Sequence, residues 1–148
     1  MSTNFTGSTV RSTGVPTLQG GCQCGAIRYE TKSVVPEIYI CHCTECRKQS
    51  ASAFGISYTV HRDDLVVVRG APKCWSRPAA SGRVLQCFFC ADCGTRVWHA
   101  SEQVEHVSIK GGSLDEPFDV GAAIHIWTSS KLPGVIVPGN ARSFPEEP

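Results

Sequence analysis

Cys41-His42-Cys43-Thr44-Glu45-Cys46 places three thiols within six residues, and two pairs flank it along the chain: Cys22-Gln23-Cys24 before it and Cys90-Ala91-Asp92-Cys93 after it. These seven, out of nine cysteines in all, divide as four plus three. Zinc bound by thiolates is tetrahedral, so four close a structural site while three leave a corner for water or substrate. The division predicts one closed and one open centre in a fold that metal helps to hold together.

The two pairs have the flanks that a metal turn needs. Gly21 and Gly25 bracket the first, and Gly94 follows the second; glycine reaches the positive φ that lets a backbone curl round an ion. On a regular strand Cys22 and Cys24 would face the same side, and two intervening residues let one tight turn aim Cys90 and Cys93 at one point. Cys22, Cys24, Cys90 and Cys93 form the expected structural site. Closing its loop of roughly 70 residues with metal is worth on the order of 10 kcal/mol. Cys41, Cys43 and Cys46 form the expected open site. His42 is an alternative fourth ligand there, although its place between two ligating cysteines predicts a side chain that points away.

A redox reading of Cys90-x-x-Cys93 is disfavoured because no βαβ pattern surrounds it. Cys87 is an alternative partner for Cys90, but its neighbours Val84, Leu85, Phe88 and Phe89 read as a buried strand, so a core thiol is expected; Cys74 beside Trp75 reads the same way. His99 and His125 lie in apolar strands and are expected in the core, whereas His61 and His106 read as ordinary surface or strand residues.

The chain has 148 residues, enough for one domain with a real core. Its formal net charge is +1, with Lys and Arg scattered, which gives no electrostatic handle for nucleic acid or membrane. A small-molecule partner is expected, and the oligomeric state is left open. Residues 1–17 carry no apolar stretch of a secretory signal, and no run approaches the ~20 apolar residues of a membrane span. The expected location is the cytoplasm, where clustered cysteines are metal ligands or reactive thiols rather than disulfides.

Alternation of period two runs through residues 26–30, 37–40 and 54–58, with further strands expected at 65–68, 83–89, 96–99, 104–109 and 122–127. Only residues 43–50 read as a short helix, with Thr44 as its N-cap. The expected fold is all-β, built from short antiparallel strands with the cysteine clusters at strand ends. A flexible arm at 1–17 and a polar tail at 143–148 bound a domain at 18–142.

Taken together, Gly20-Gly21-Cys22-Gln23-Cys24-Gly25-Ala26-Ile27-Arg28-Tyr29, the run Cys41 to Ser50, Phe89-Cys90-Ala91-Asp92-Cys93-Gly94-Thr95, and Ala123-Ile124-His125-Ile126-Trp127 with Thr128 to Pro133 resemble the glutathione-dependent formaldehyde-activating family, which shares its domain with centromere protein V. The resemblance implies an Mss4-like fold of coiled antiparallel sheets, a fold also used by zinc adaptors. It implies two zinc ions: a structural one on Cys22, Cys24, Cys90 and Cys93, and a catalytic one on Cys41, Cys43 and Cys46. The implied activity is that of an S-(hydroxymethyl)glutathione synthase, a carbon–sulfur lyase in reverse, with glutathione as co-substrate and formaldehyde as electrophile. Glutathione carries two carboxylates, and Arg47, Lys48 and Lys131 are the expected cations for them. Gly134 replaces an aromatic that the family often has after Lys-Leu-Pro, which points to a larger electrophile as an alternative. A glutathione carrier without chemistry and a two-zinc adaptor are the remaining alternatives.

Overall fold

The computed structural model describes residues 14, 16–32 and 36–148; the expected arm at 1–17 falls almost wholly outside them. Ten strands and one α-helix follow in order: β1 (Thr17–Gly21), β2 (Arg28–Lys32), β3 (Glu37–Cys41), α1 (Thr44–Ser50), β4 (Gly55–His61), β5 (Leu65–Arg69), β6 (Lys73–Pro78), β7 (Val84–Phe89), β8 (Arg96–Ala100), β9 (His106–Lys110) and β10 (Ile124–Ile126). They form a three-stranded sheet, β1-β2-β5, and a seven-stranded sheet, β10-β3-β4-β9-β8-β7-β6. The expected all-β class holds.

Register sorts the larger sheet into two chemically distinct faces, because cross-strand partners share a side and neighbours along a strand do not. One row runs Ile38, Tyr58, Ile109, Trp98, Phe88 across five strands. This apolar face meets the small sheet: the ring of Tyr29, fully buried, stands edge-on to Trp98 at 5.7 Å, and Trp98 stacks on Phe88 at 5.5 Å. The opposite face carries Tyr39, Ser57 and Lys110 in one row and Thr59, Ser108, His99, Cys87 and Trp75 in the next. Period-two alternation alone thus builds a core on one side and a polar surface on the other.

The core fixes two details of the chain. Tyr29 Oη shares a 2.7 Å hydrogen bond with Ser113 Oγ, which gives the buried hydroxyl its partner. Beside it no side chain fits at position 20, since a Cβ on Gly20 would lie 2.4 Å from Tyr29 Oη.

Several local expectations are corrected. Two strands were not anticipated: β1 ends in two glycines, and β6 is an exposed edge of polar character, so neither carries an apolar alternation. The β10–β3 pair is parallel, not antiparallel. The N-cap of α1 is Cys43, not Thr44: its Sγ accepts the Cys46 N–H at 3.3 Å. Cys74, expected in the core, is exposed on the edge strand, while Cys87 is buried as expected. The segment expected as a polar tail runs along the 125–129 region, with Phe144 N–H donating to His125 O and Trp127 N–H donating to Glu146 O.

Tyr29 therefore offers a direct test of the interface between the sheets. Tyr29→Ala is expected to cost about 3–5 kcal/mol, the range for deleting a large buried ring, and Tyr29→Phe about 1 kcal/mol for the lost hydrogen bond. Urea unfolding of the three proteins measures both.

Candidate metal centres and the face beside them

Two hairpin turns bring the four-cysteine set together. Cys22 and Cys24 lie in the β1–β2 turn rather than on a strand, and Cys90 and Cys93 lie in the β7–β8 turn. Gly25 and Gly94 take φ of +80° and +78°, the left-handed conformation that glycine adopts without strain. Cys22 Sγ is 3.6 Å from Cys24 Sγ, which is 3.8 Å from Cys90 Sγ, and all four sulfurs lie within 4.8 Å of one another. A tetrahedral ion with Zn–S near 2.3 Å needs sulfurs about 3.8 Å apart; this set fits one. Backbone and hydroxyl donors surround it: Ile27 N–H reaches Cys22 Sγ at 3.1 Å, and Thr95 Oγ1 stands 3.2 Å from Cys93 Sγ. The Thr95 contact holds the Cys93 thiol down to about 5, the anionic form that a metal requires.

The three-cysteine set sits where β3 hands over to α1. Cys41 ends the strand, Cys43 caps the helix and Cys46 lies one turn in. Their sulfurs also lie within 4.8 Å of one another. Hydrogen bonds with Cys41 and Cys46 take the Cys43 thiol down to about 2, while Cys43 and Cys46 drive Cys41 upward. A divalent cation there would hold all three as thiolates. Gly55 lets the helix approach, since a Cβ there would stand 3.1 Å from Cys46 Cβ and 2.9 Å from Gln49 Nε2.

His42 is not part of the sulfur cluster. It is fully buried, its Nε2 lies 3.0 Å from Nδ1 of His125, and the two rings stack at 5.3 Å. Phe54 packs edge-on to it at 5.7 Å, and His42 Nδ1 has no hydrogen-bond partner among the described residues. Burial, with His125 second, lowers the His42 pKa, and burial lowers that of His125, so both rings are neutral at pH 7. The pair fastens the cluster segment to β10. His61 and His106 face each other at a solvent-facing end of β4 and β9.

Beside α1 lies a hollow of about 420 Å³ lined by Thr44, Arg47, Lys48, Ala51, Ser52 and Leu132. Arg47 and Lys48, two of the three expected cations, line it. Arg47 is half-buried, its Nε without a hydrogen-bond partner among the described residues, and Lys48 is exposed. Lys131 does not line it: its ammonium donates to Val135 O at 2.7 Å and Leu132 O at 3.4 Å, shaping the loop that carries Leu132. Gly134, in the same loop, has φ +88° and open space where a side chain would start.

Sequence reasoning missed a second set of cations, on the polar sheet face. Lys110 is buried and its Nζ stands 2.6 Å from His99 Nδ1. Arg77 reaches Glu45 of α1 at 3.8 Å, and the Arg96 guanidinium lies 5.8 Å from the Trp75 ring centre. Burial brings Lys110 down to about 8 and takes His99 well below its ordinary value. An ammonium only donates, so His99 Nδ1 accepts and its proton sits on Nε2. The alternation Val107-Ser108-Ile109-Lys110 was visible in the sequence; that its polar side is covered was not.

Comparison with known proteins agrees with this geometry. A family model described as glutathione-dependent formaldehyde-activating enzyme matches residues 17–130, a span that contains all seven clustered cysteines. A crystal structure of a Rhodobacter sphaeroides protein, solved as a structural-genomics target, aligns with a TM-score of 0.54 at 25% identity, covering 72% of this chain and 98% of the other. No curated protein matches the chain.

The two clusters should part company under mutation. Cys90→Ser is expected to lose one equivalent of zinc together with cooperative unfolding, and Cys46→Ser to lose one equivalent while keeping a cooperative melt. Gly55→Val, by pushing on Cys46, should mimic Cys46→Ser. Elemental analysis and calorimetry on the three variants read these outcomes.

Proposed function

Because this chain belongs to the glutathione-dependent formaldehyde-activating enzyme family, we propose that it makes and breaks the carbon–sulfur bond of a glutathione adduct, as an S-(hydroxymethyl)glutathione synthase or, in reverse, a carbon–sulfur lyase. One observation supports this most: the sulfurs of Cys41, Cys43 and Cys46 lie within 4.8 Å of one another, and α1, which carries Cys46, also lines a hollow with Arg47 and Lys48. These three cysteines would hold a catalytic zinc, and Cys22, Cys24, Cys90 and Cys93 a structural one. When bound, the catalytic zinc stabilises a sulfur ligand as thiolate at neutral pH.

The residues of the chain do the rest. Arg47 and Lys48 bind the carboxylates of glutathione in the hollow, and Lys131 holds the wall that Leu132 provides. Positioning the thiol sulfur beside the electrophile turns an encounter into a reaction within one complex. The thiol gives up its proton, sulfur bonds to the formaldehyde carbon, and the carbonyl oxygen becomes a hydroxyl by taking a proton. Seven reduced thiols call for a reducing compartment, and we assign the protein to the cytoplasm; no helix among the described residues is long and apolar enough to cross a membrane. The open space at Gly134 favours a second reading, in which the same thiol chemistry acts on a larger electrophile.

Exchange NMR with ¹³C-formaldehyde and glutathione tests the reaction. The wild type is expected to accelerate adduct formation and breakdown beyond the spontaneous rate, and Cys46→Ser to abolish the acceleration. Arg47→Ala should raise the KM for glutathione about tenfold, the loss of one charge-assisted carboxylate contact of about 1.4 kcal/mol. Glutathione binding without acceleration would make the protein a carrier instead.

A further inference from the structure

Lys110 is 8 % exposed, yet no carboxylate lies within ion-pair distance of it among the described residues. Its ammonium has three donors, and the neutral acceptor His99 Nδ1 takes one of them. A buried charge is costly unless an opposite charge answers it, so the surroundings of Lys110 identify what it is for.

Strand register locates that opposite charge. Lys110 stands across from Ser57 on β4, and two residues away on the same side Gly55 stands across from Cys41. Gly55 is also where Cys46 packs, its would-be Cβ 3.1 Å from Cys46 Cβ. Lys110, Cys41 and Cys46 therefore converge on one short stretch of one face of β4. The backbone of Lys110 is anchored from the core, because its carbonyl accepts the Ser113 hydroxyl at 2.7 Å and Ser113 is bonded in turn to Tyr29.

Three thiolates on a divalent ion carry a net charge of −1, and a fourth thiolate makes it −2. A neutral or cationic neighbourhood decides whether that last anion is accepted. We propose that Lys110, steered by His99, is the buried counter-charge of the Cys41, Cys43 and Cys46 centre, and that it makes the free corner select an anionic sulfur ligand. The inference rests on reading those three cysteines as an open metal site. Lys110 is thus a positioning residue that acts on the ligands through charge.

Cobalt(II) titration of the full chain, with zinc already in the four-cysteine site, tests it through sulfur-to-metal charge-transfer absorption. Lys110→Met should bind cobalt at least tenfold more weakly than wild type, within the range seen when partners around a metal site are removed, and should need at least tenfold more glutathione for the spectral change of thiol ligation. Lys110→Arg keeps the charge and should stay within about threefold on both measures. His99→Gln should fall between them. Equal cobalt affinity and equal glutathione dependence in Lys110→Met would overturn the proposal and leave the open site standing. A wild type that takes up no cobalt on the three cysteines would overturn both. Zinc retained at the four-cysteine site shows that a variant is folded; if Lys110→Met loses it, Lys110→Gln is measured in its place with the same two outcomes.

Discussion

The meeting of two hairpin tips at four sulfurs is the constraint on which the rest of the structure depends. Cys22 and Cys24 turn the chain from β1 into β2, and Cys90 and Cys93 turn it from β7 into β8. The first hairpin belongs to the small sheet and the second to the large one. A thiophilic ion held at that point would fix the two sheets against each other at their ends, while Tyr29, Trp98 and Phe88 fill the space between them. Directional ligation sets the position and non-directional burial supplies the area.

With one face of the large sheet committed to that core, alternation leaves the other face to chemistry. Cys41, Ser57, Lys110, Ser108, His99, Cys87 and Trp75 reach it from six strands, and α1 stands against its β4 portion through Gly55 and Cys46. The seven-residue helix α1 brings Cys46 against β4 and lines a hollow with Arg47 and Lys48. The His42–His125 pair ties the same segment from behind.

Much of this was legible in the chain. Spacing identified both sulfur clusters, and flanking glycines marked the turns of the four-cysteine set, since metal ligation demands particular residues at particular distances. Alternation located the strands whose two sides differ in polarity. It failed for β1 and β6, where glycine or edge exposure removes the contrast, and for the β10–β3 pair, whose parallel arrangement no local pattern encodes. It also missed Lys110. A lysine beside an isoleucine reads as a surface charge, and only the packing of α1 and the neighbouring strands turns that surface into an interior. The polar composition of the C-terminal residues gives no sign that residues 142–146 hydrogen-bond through their backbone to residues 125–129.

The two clusters also differ in how far apart their ligands lie along the chain, and this gives them opposite thermodynamic characters. Cys41, Cys43 and Cys46 fall within six consecutive residues, so an unfolded chain could chelate an ion with them. A ligand that binds both states shifts the folding equilibrium only by the difference in affinity. Cys22 and Cys24 meet Cys90 and Cys93 only after the hairpins have docked, so ion binding there is coupled to the whole fold. With metal in both, a chelator would strip stability through the four-cysteine site and mainly occupancy through the three-cysteine one. The same difference would order metal loading during synthesis: the contiguous site could load once Cys46 has emerged, whereas the clamp would wait for the β7–β8 turn.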